Sequence, residues 1–174
     1  MDVVQLNIIT LARQTSAEWI LPTAFYRICE LVHEDTIING EGMVELDPID
    51  KVACMTAIRF LETTGASNVL KFLTTPMWIP GCTADPPEDC TLSRAETRAE
   101  AELWRDYAIG KAPYLPFELW STDDWERLNV CGHCLSTMKS AAKEAKEVLW
   151  KTVPELFGLP SWIELEKMKA EALK

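Results

Sequence analysis

The sequence predicts an all-α fold: mainly an orthogonal bundle of helices, joined by irregular loops, with one loop stapled by zinc. Three observations carry that prediction. Apolar residues recur at spacings of three and four along most of the chain, as one face of a helix requires. Only "DTIING" and "GMVEL" are candidates for short strands, and both read equally well as extended loop. Four cysteines stand apart from the apolar stripes, two in a proline-rich segment and two at a helix start.

The first half is read as helices. "VVQLNIITLARQ" puts Val4, Ile8 and Leu11 on one face, with Leu6 or Ile9 beside it. In "LPTAFYRICELV" Pro22 suits a first turn, and Phe25, Ile28, Cys29 and Val32 follow at helical spacing. Asp47-Pro48 reads as an N-cap and a first-turn proline, with Asp50 near the positive helix end. "IDKVACMTAIRFLETTG" is apolar on most sides, which predicts a central helix ended by Gly65.

From Thr75 to Cys90 the texture changes. "TPMWIPGCTADPPEDC" is too rich in proline for a helix or a central strand, and it predicts a loop. Ser93 and Glu96 have capping-box spacing and reopen the helical pattern, with Leu103, Trp104 and Tyr107 on one face. "GKAPYLPFELW" is a second irregular connector. Ser121 or Thr122 caps a short helix carrying Trp125 and Leu128. After Cys131, an apolar stripe of Leu135, Met138, Ala142, Ala145 and Leu149 is long enough for core packing but short for a coiled coil. Ser161 and Glu164 form another capping box before the last helix. The expected organisation is a single helical domain over 1–174: helices in 1–75, the Cys/Pro-rich loop in 76–92, and helices again in 93–174.

The 174 residues carry a formal charge of −10, and 48% are apolar. A chain of this length buries roughly 70% of its unfolded surface, enough for a core. The acidic balance argues against a broad phosphate-binding face, so no nucleic-acid partner is expected. Lys139, Lys143, Lys146 and Lys151 are interleaved with Glu144 and Glu147, which reads as a solvated helix face. No run reaches the roughly 18 apolar residues of a membrane span, and "MDVVQLNIITLARQ" lacks the basic segment and cleavage site of a signal peptide. No membrane association is expected, and an intracellular location, cytoplasmic or nuclear, follows. In that compartment cysteines stay free or bind metal.

Cys29 and Cys54 fall on apolar helix faces and read as small core residues. Cys82 and Cys90, with seven residues between them, and Cys131 and Cys134, with two, read as the ligands of one structural zinc ion. Two intervening residues let both thiolates of the second pair reach one ion, and a helix N-terminus favours their ionised form. His133 is a possible substitute ligand, a solvent-facing residue or a hydrogen-bonding neighbour of the site. His33 reads as a loop residue.

Cys131-Gly132-His133-Cys134 is also the active-site tetrapeptide of protein disulfide isomerases. On that alternative the chain is a thiol-disulfide oxidoreductase with Cys131 as nucleophile and Cys134 as resolver. The surroundings disfavour it. The preceding "TDDWERLN" is helical in pattern rather than a strand, Val130 stands where those enzymes carry tryptophan, and Cys82 and Cys90 are left without a role. Enzyme or not stays open, leaning to no. No G-x-S-x-G, H-E-x-x-H, P-loop or G-x-G-x-x-G motif occurs.

"LARQTSAEWILPTAFYRIC" and the tail from "PFELWSTDDWERLNVCGHC" through "ELFGLPSWIELEKMK" resemble the region after the BTB fold in BTB/POZ-domain-containing proteins of mushroom-forming fungi. The shared marks are "LPTAFYR", the tryptophan-rich connector, the cysteine pair and "ELFGLPSW" before a charged helix. No strand–helix module precedes Leu6, so BTB dimerisation and cullin binding do not carry over. The resemblance implies a helical region that positions protein partners. The expectation is a non-catalytic interaction or adaptor module, stabilised by zinc, with partner contacts around Trp78, Trp120 and Trp125 unless these are core.

Overall fold

The computed structural model describes the backbone of residues 2–107 and 115–174, and side-chain surroundings for 4–100 and 115–174. The expected face of Leu103, Trp104 and Tyr107, and the start of the "GKAPYLPFELW" connector, lie outside the described residues. The fold is all-α. Among the described residues there is no strand, only an isolated bridge between Glu41 and Val44. No described helix is long and apolar enough to cross a membrane. The chain divides into two compact units, Met1–Phe60 with Trp150–Lys174, and Leu61–Leu149.

The first unit contains α1 (Asp2–Gln14), α2 (Leu21–Leu31), α3 (Glu34–Asn39), α4 (Pro48–Phe60) and the terminal helix described below. α1 buries Leu6, Ile9 and Ala12, whereas Val4 and Leu11 are each 59% exposed. The apolar face expected from the sequence is therefore the solvent side. α1 is apolar on two sides, so periodicity leaves its rotation to tertiary partners. Here Arg13, next to Ala12, reaches Asp50: Nη2 lies 2.6 Å from Oδ1 and Nε 3.3 Å from Oδ2. Asp50 is 3% exposed, a buried carboxylate that needs this bidentate partner. The same bond raises the Arg13 pKa.

α2 follows expectation, with Pro22 in its first turn and Phe25, Ile28 and Cys29 buried, and Val32 buried just beyond it. "DTIING" is helical, not extended, because His33 caps α3 through Nδ1, which accepts from the Asp35 N–H. α4 is capped by Asp47, whose Oδ1 accepts from the Ile49 N–H at 2.9 Å. It is not apolar-buried all round: Cys54, Ala57 and Ile58 face the core while Ile49 and Val52 are exposed. Gly65 does not end the helical run. The chain continues through a π-helical turn (Leu61–Gly65), α5 (Ala66–Val69) and a 3₁₀ turn (Leu70–Leu73). With φ near −61°, Gly65 is right-handed and supplies no left-handed stop.

In the second unit α6 (Glu88–Tyr107) begins five residues before Ser93. Ser93 is interior, and its hydroxyl accepts from the Asn129 N–H at 3.2 Å instead of capping. Cys90 thereby moves from the expected loop into the first turn of a helix. α7 (Thr122–Arg127) carries the full Ser121–Asp124 capping box. α8 (Gly132–Leu156), which belongs to this unit as far as Leu149, buries Met138, Ala142 and Leu149 of the predicted stripe. Trp120 is core and Trp125 is half-buried against it: each packs on Phe72, with ring centroids 5.2 and 4.9 Å away. Lys146 is not solvated as expected. It is half-buried and donates to the Phe117 carbonyl at 2.8 Å, and burial pulls its pKa down.

In the first unit, α9 (Trp162–Ala172) opens on the predicted Ser161–Glu164 capping box and buries Leu165. Phe157 stacks on Phe25 at 5.1 Å.

Candidate metal centre

Three backbone segments of the second unit bring four sulfurs together. The first is the turn at Ile79-Pro80-Gly81-Cys82, closed by the Cys82 N–H on the Ile79 carbonyl at 3.2 Å. Gly81 has φ +80°, and a Cβ there would sit 3.0 Å from the His133 Nε2. The second segment is the first turn of α6, which carries Cys90. The third is the start of α8, where the Cys131 carbonyl accepts the first helical bond from Leu135. Cys131 is thus the N-cap, and its sulfur accepts from the Cys134 N–H at 3.5 Å, the place a serine oxygen usually takes.

The sulfurs of Cys82, Cys90, Cys131 and Cys134 all lie within 4.8 Å of one another. Cys82 and Cys131 are 3.8 Å apart. Sulfurs held about 2.3 Å from one tetrahedral ion are separated by about 3.8 Å, so this edge already has the required length. Backbone amides point at the cluster: the Cys131 N–H donates to the Cys90 sulfur at 3.2 Å, and the Thr83 N–H to the Cys131 sulfur at 3.5 Å. Two helix N-termini, of α6 and α8, direct their positive ends there as well.

The four thiols are not equivalent. Hydrogen bonds from the Thr83 side chain first, then the Cys134 and Thr83 amides, hold Cys131 down to about 5. Burial, foremost, pushes Cys90 and Cys134 up, and the neighbouring sulfurs add to it. Cys90 and Cys134 belong to the apolar core with Ile79, Leu73 and Met138, whereas Cys82 and Cys131 are half-buried at its edge. This is a crowded, partly dry set of soft donors, in which a divalent cation would displace protons from suppressed thiols.

The two remaining cysteines are elsewhere, as expected: Cys29 and Cys54 are buried in the first unit, where the Cys29 thiol lies 3.9 Å from the Cys54 carbonyl. His133 contributes no fifth ligand. Its Nε2 sits 2.9 Å from the Pro80 carbonyl and ties the turn to α8. Sequence reading missed Thr83 and a buried arginine, Arg94, one turn after Cys90. The i, i+4 spacing of Cys90 and Arg94 was visible, but it carries meaning only once α6 is known to start at Glu88. A polar cavity of about 400 Å³ beside Trp120 is lined by Glu96, Glu100 and Arg127 among others, and holds no cysteine or histidine.

Comparison of the chain with protein-family models, curated proteins and solved structures finds no match.

Proposed function

We propose that the chain is a non-catalytic protein-interaction module whose second unit is held by one structural zinc ion on Cys82, Cys90, Cys131 and Cys134. The observation that carries this reading is the convergence of four sulfurs within 4.8 Å from three separate segments. A Cys₄ set fills a tetrahedral ion, leaves no open position for water, and so supports folding rather than hydrolysis. The interaction role is supported by Met77 and Trp78, which precede the Ile79–Cys82 turn in the chain and are 77% and 48% exposed. The likeness of the sequence to post-BTB regions agrees with a protein partner.

The test is metal content. Protein expressed with zinc available should hold one zinc per chain, and a chain holding far less sinks the reading. For the interaction role, a partner captured by the wild type should be lost from Trp78→Ala, which leaves the metal in place.

One observation favours the oxidoreductase alternative: the depressed Cys131 thiol. The same amides serve a metal thiolate equally well, and Cys82 stands as near to Cys131 as a ligand would. Insulin reduction at an unchanged rate after Cys131→Ser would remove that alternative.

A further inference from the structure

Arg94 is 2% exposed and among the largest fully buried side chains of the protein. No carboxylate among the described residues pairs with it. Its Nη2 donates to the carbonyls of Phe72 and Pro76, both at 2.8 Å, and its Nη1 to the Met77 carbonyl at 3.3 Å. Its Nε is buried without a partner. Three neutral carbonyls orient a guanidinium but do not neutralise it, and an isolated buried cation is costly. Neutral donors could satisfy the same carbonyls, so the fixed charge calls for a reason of its own.

The reason lies four residues upstream. In a helix, positions i and i+4 share a face, and Arg94 follows Cys90 at that spacing in α6. Once a metal ionises them, Cys134 and then Cys90 would act on the guanidinium against the burial that lowers its pKa. Four thiolates around a divalent ion form a dianion, and two of its sulfurs are in the core. A buried dianion and a buried cation each carry a desolvation cost that the other offsets.

We propose that Arg94 is the built-in counter-cation of the four-thiolate centre, and that it positions the 72–77 segment against that centre through the Phe72, Pro76 and Met77 carbonyls. It is a positioning residue and not a ligand. The proposal rests on the metal reading above.

The test compares Arg94→Lys with Arg94→Met in the full chain. Both lose the planar fork that bridges the carbonyls, and only lysine keeps the charge. Zinc affinity is measured by competition with a chromogenic chelator, and the thiolate-to-metal absorption is followed with cobalt. Arg94→Met should weaken zinc roughly 10- to 100-fold, the usual effect of losing a partner of the ligand shell. It should also shift the cobalt bands, while Arg94→Lys stays much closer to wild type in both. Equal weakening in the two variants, or wild-type affinity in Arg94→Met, overturns the proposal while wild-type zinc binding leaves the metal reading intact. If Arg94→Met does not fold, Arg94→Gln replaces it, and wild-type zinc affinity in that variant overturns the proposal. A wild-type chain that takes up no zinc fails the metal reading itself.

Discussion

The backbone N–H of Cys131 donates to the sulfur of Cys90 across 3.2 Å, although 41 positions of chain separate them. One cysteine thus orients another before any ion is considered. That bond predicts a sharp division among the six cysteines. Serine at 82, 90, 131 or 134 should release the metal and lower stability by about 3 kcal/mol or more, because metal affinity is folding free energy. Cys29→Ser or Cys54→Ser should leave metal content unchanged and cost about 1–3 kcal/mol for a buried hydroxyl. Zinc per chain together with urea unfolding separates the two groups, and uniform behaviour would refute the partition.

At Gly81, alanine should be costly for two reasons. A φ of +80° penalises a side chain by about 1–2 kcal/mol, and the new Cβ meets the His133 ring. Gly42, with φ +66° and open space around it, isolates the first cost. Gly81→Ala should therefore be less stable than Gly42→Ala and should bind zinc more weakly. Adding His133→Ala should recover part of the difference. Thermal unfolding of the three variants checks this, and equal costs at the two glycines would contradict it.

The Arg13–Asp50 pair predicts an asymmetry. Asp50 is buried, while the Arg13 side chain is 37% exposed. Arg13→Met strands a buried carboxylate and should cost about 2–3 kcal/mol, below the range for fully buried pairs because water screens this one. Asp50→Ala leaves an arginine that can turn to solvent and should cost less. The double variant should cost less than the sum of the two, which denaturant unfolding of the double-mutant cycle measures.

The capping box of α9 predicts an acid-sensitive terminus. Hydrogen bonds from the Ser161 hydroxyl and amide hold Glu164 below its ordinary value of 4.5. A lowered folded-state pKa contributes stability that is complete above the unfolded value and is lost as pH falls through the folded one. Protection of the α9 amides from hydrogen exchange should therefore drop below about pH 4.5 in the wild type. Glu164→Gln should flatten that dependence, and an unchanged pH profile would count against the box.

Much of this architecture was legible. Pro22, Asp47, Ser121 and Ser161 announced helix starts because caps depend on neighbours a few residues away. The cysteine set could be partitioned because Cys29 and Cys54 sit in apolar stripes and the other four do not. What failed were choices made by distant partners. α1 has two apolar faces, and which of them is buried depends on partners far along the chain, as the Arg13–Asp50 bond does. Gly65 sits where a stop is common, yet its backbone stays right-handed and the helical run goes on. Ser93 has capping spacing, but α6 starts a turn and a half earlier, at a segment whose prolines suggested only loop. Arg94 could not be singled out, since its meaning depends on which side of α6 is buried and on which sulfurs lie there.

The arc from Cys90 to Cys131 has a consequence in polymer terms. A metal that joins its two ends removes conformations from the unfolded chain as a cross-link does, worth about 4 kcal/mol for a loop of this length. That entropy varies only with the logarithm of length, so doubling the arc would change it by about 0.6 kcal/mol. What the cross-link is worth to the unfolded chain therefore depends little on the length of that arc, and the folded packing of α6, α7 and Trp120 is what holds its length.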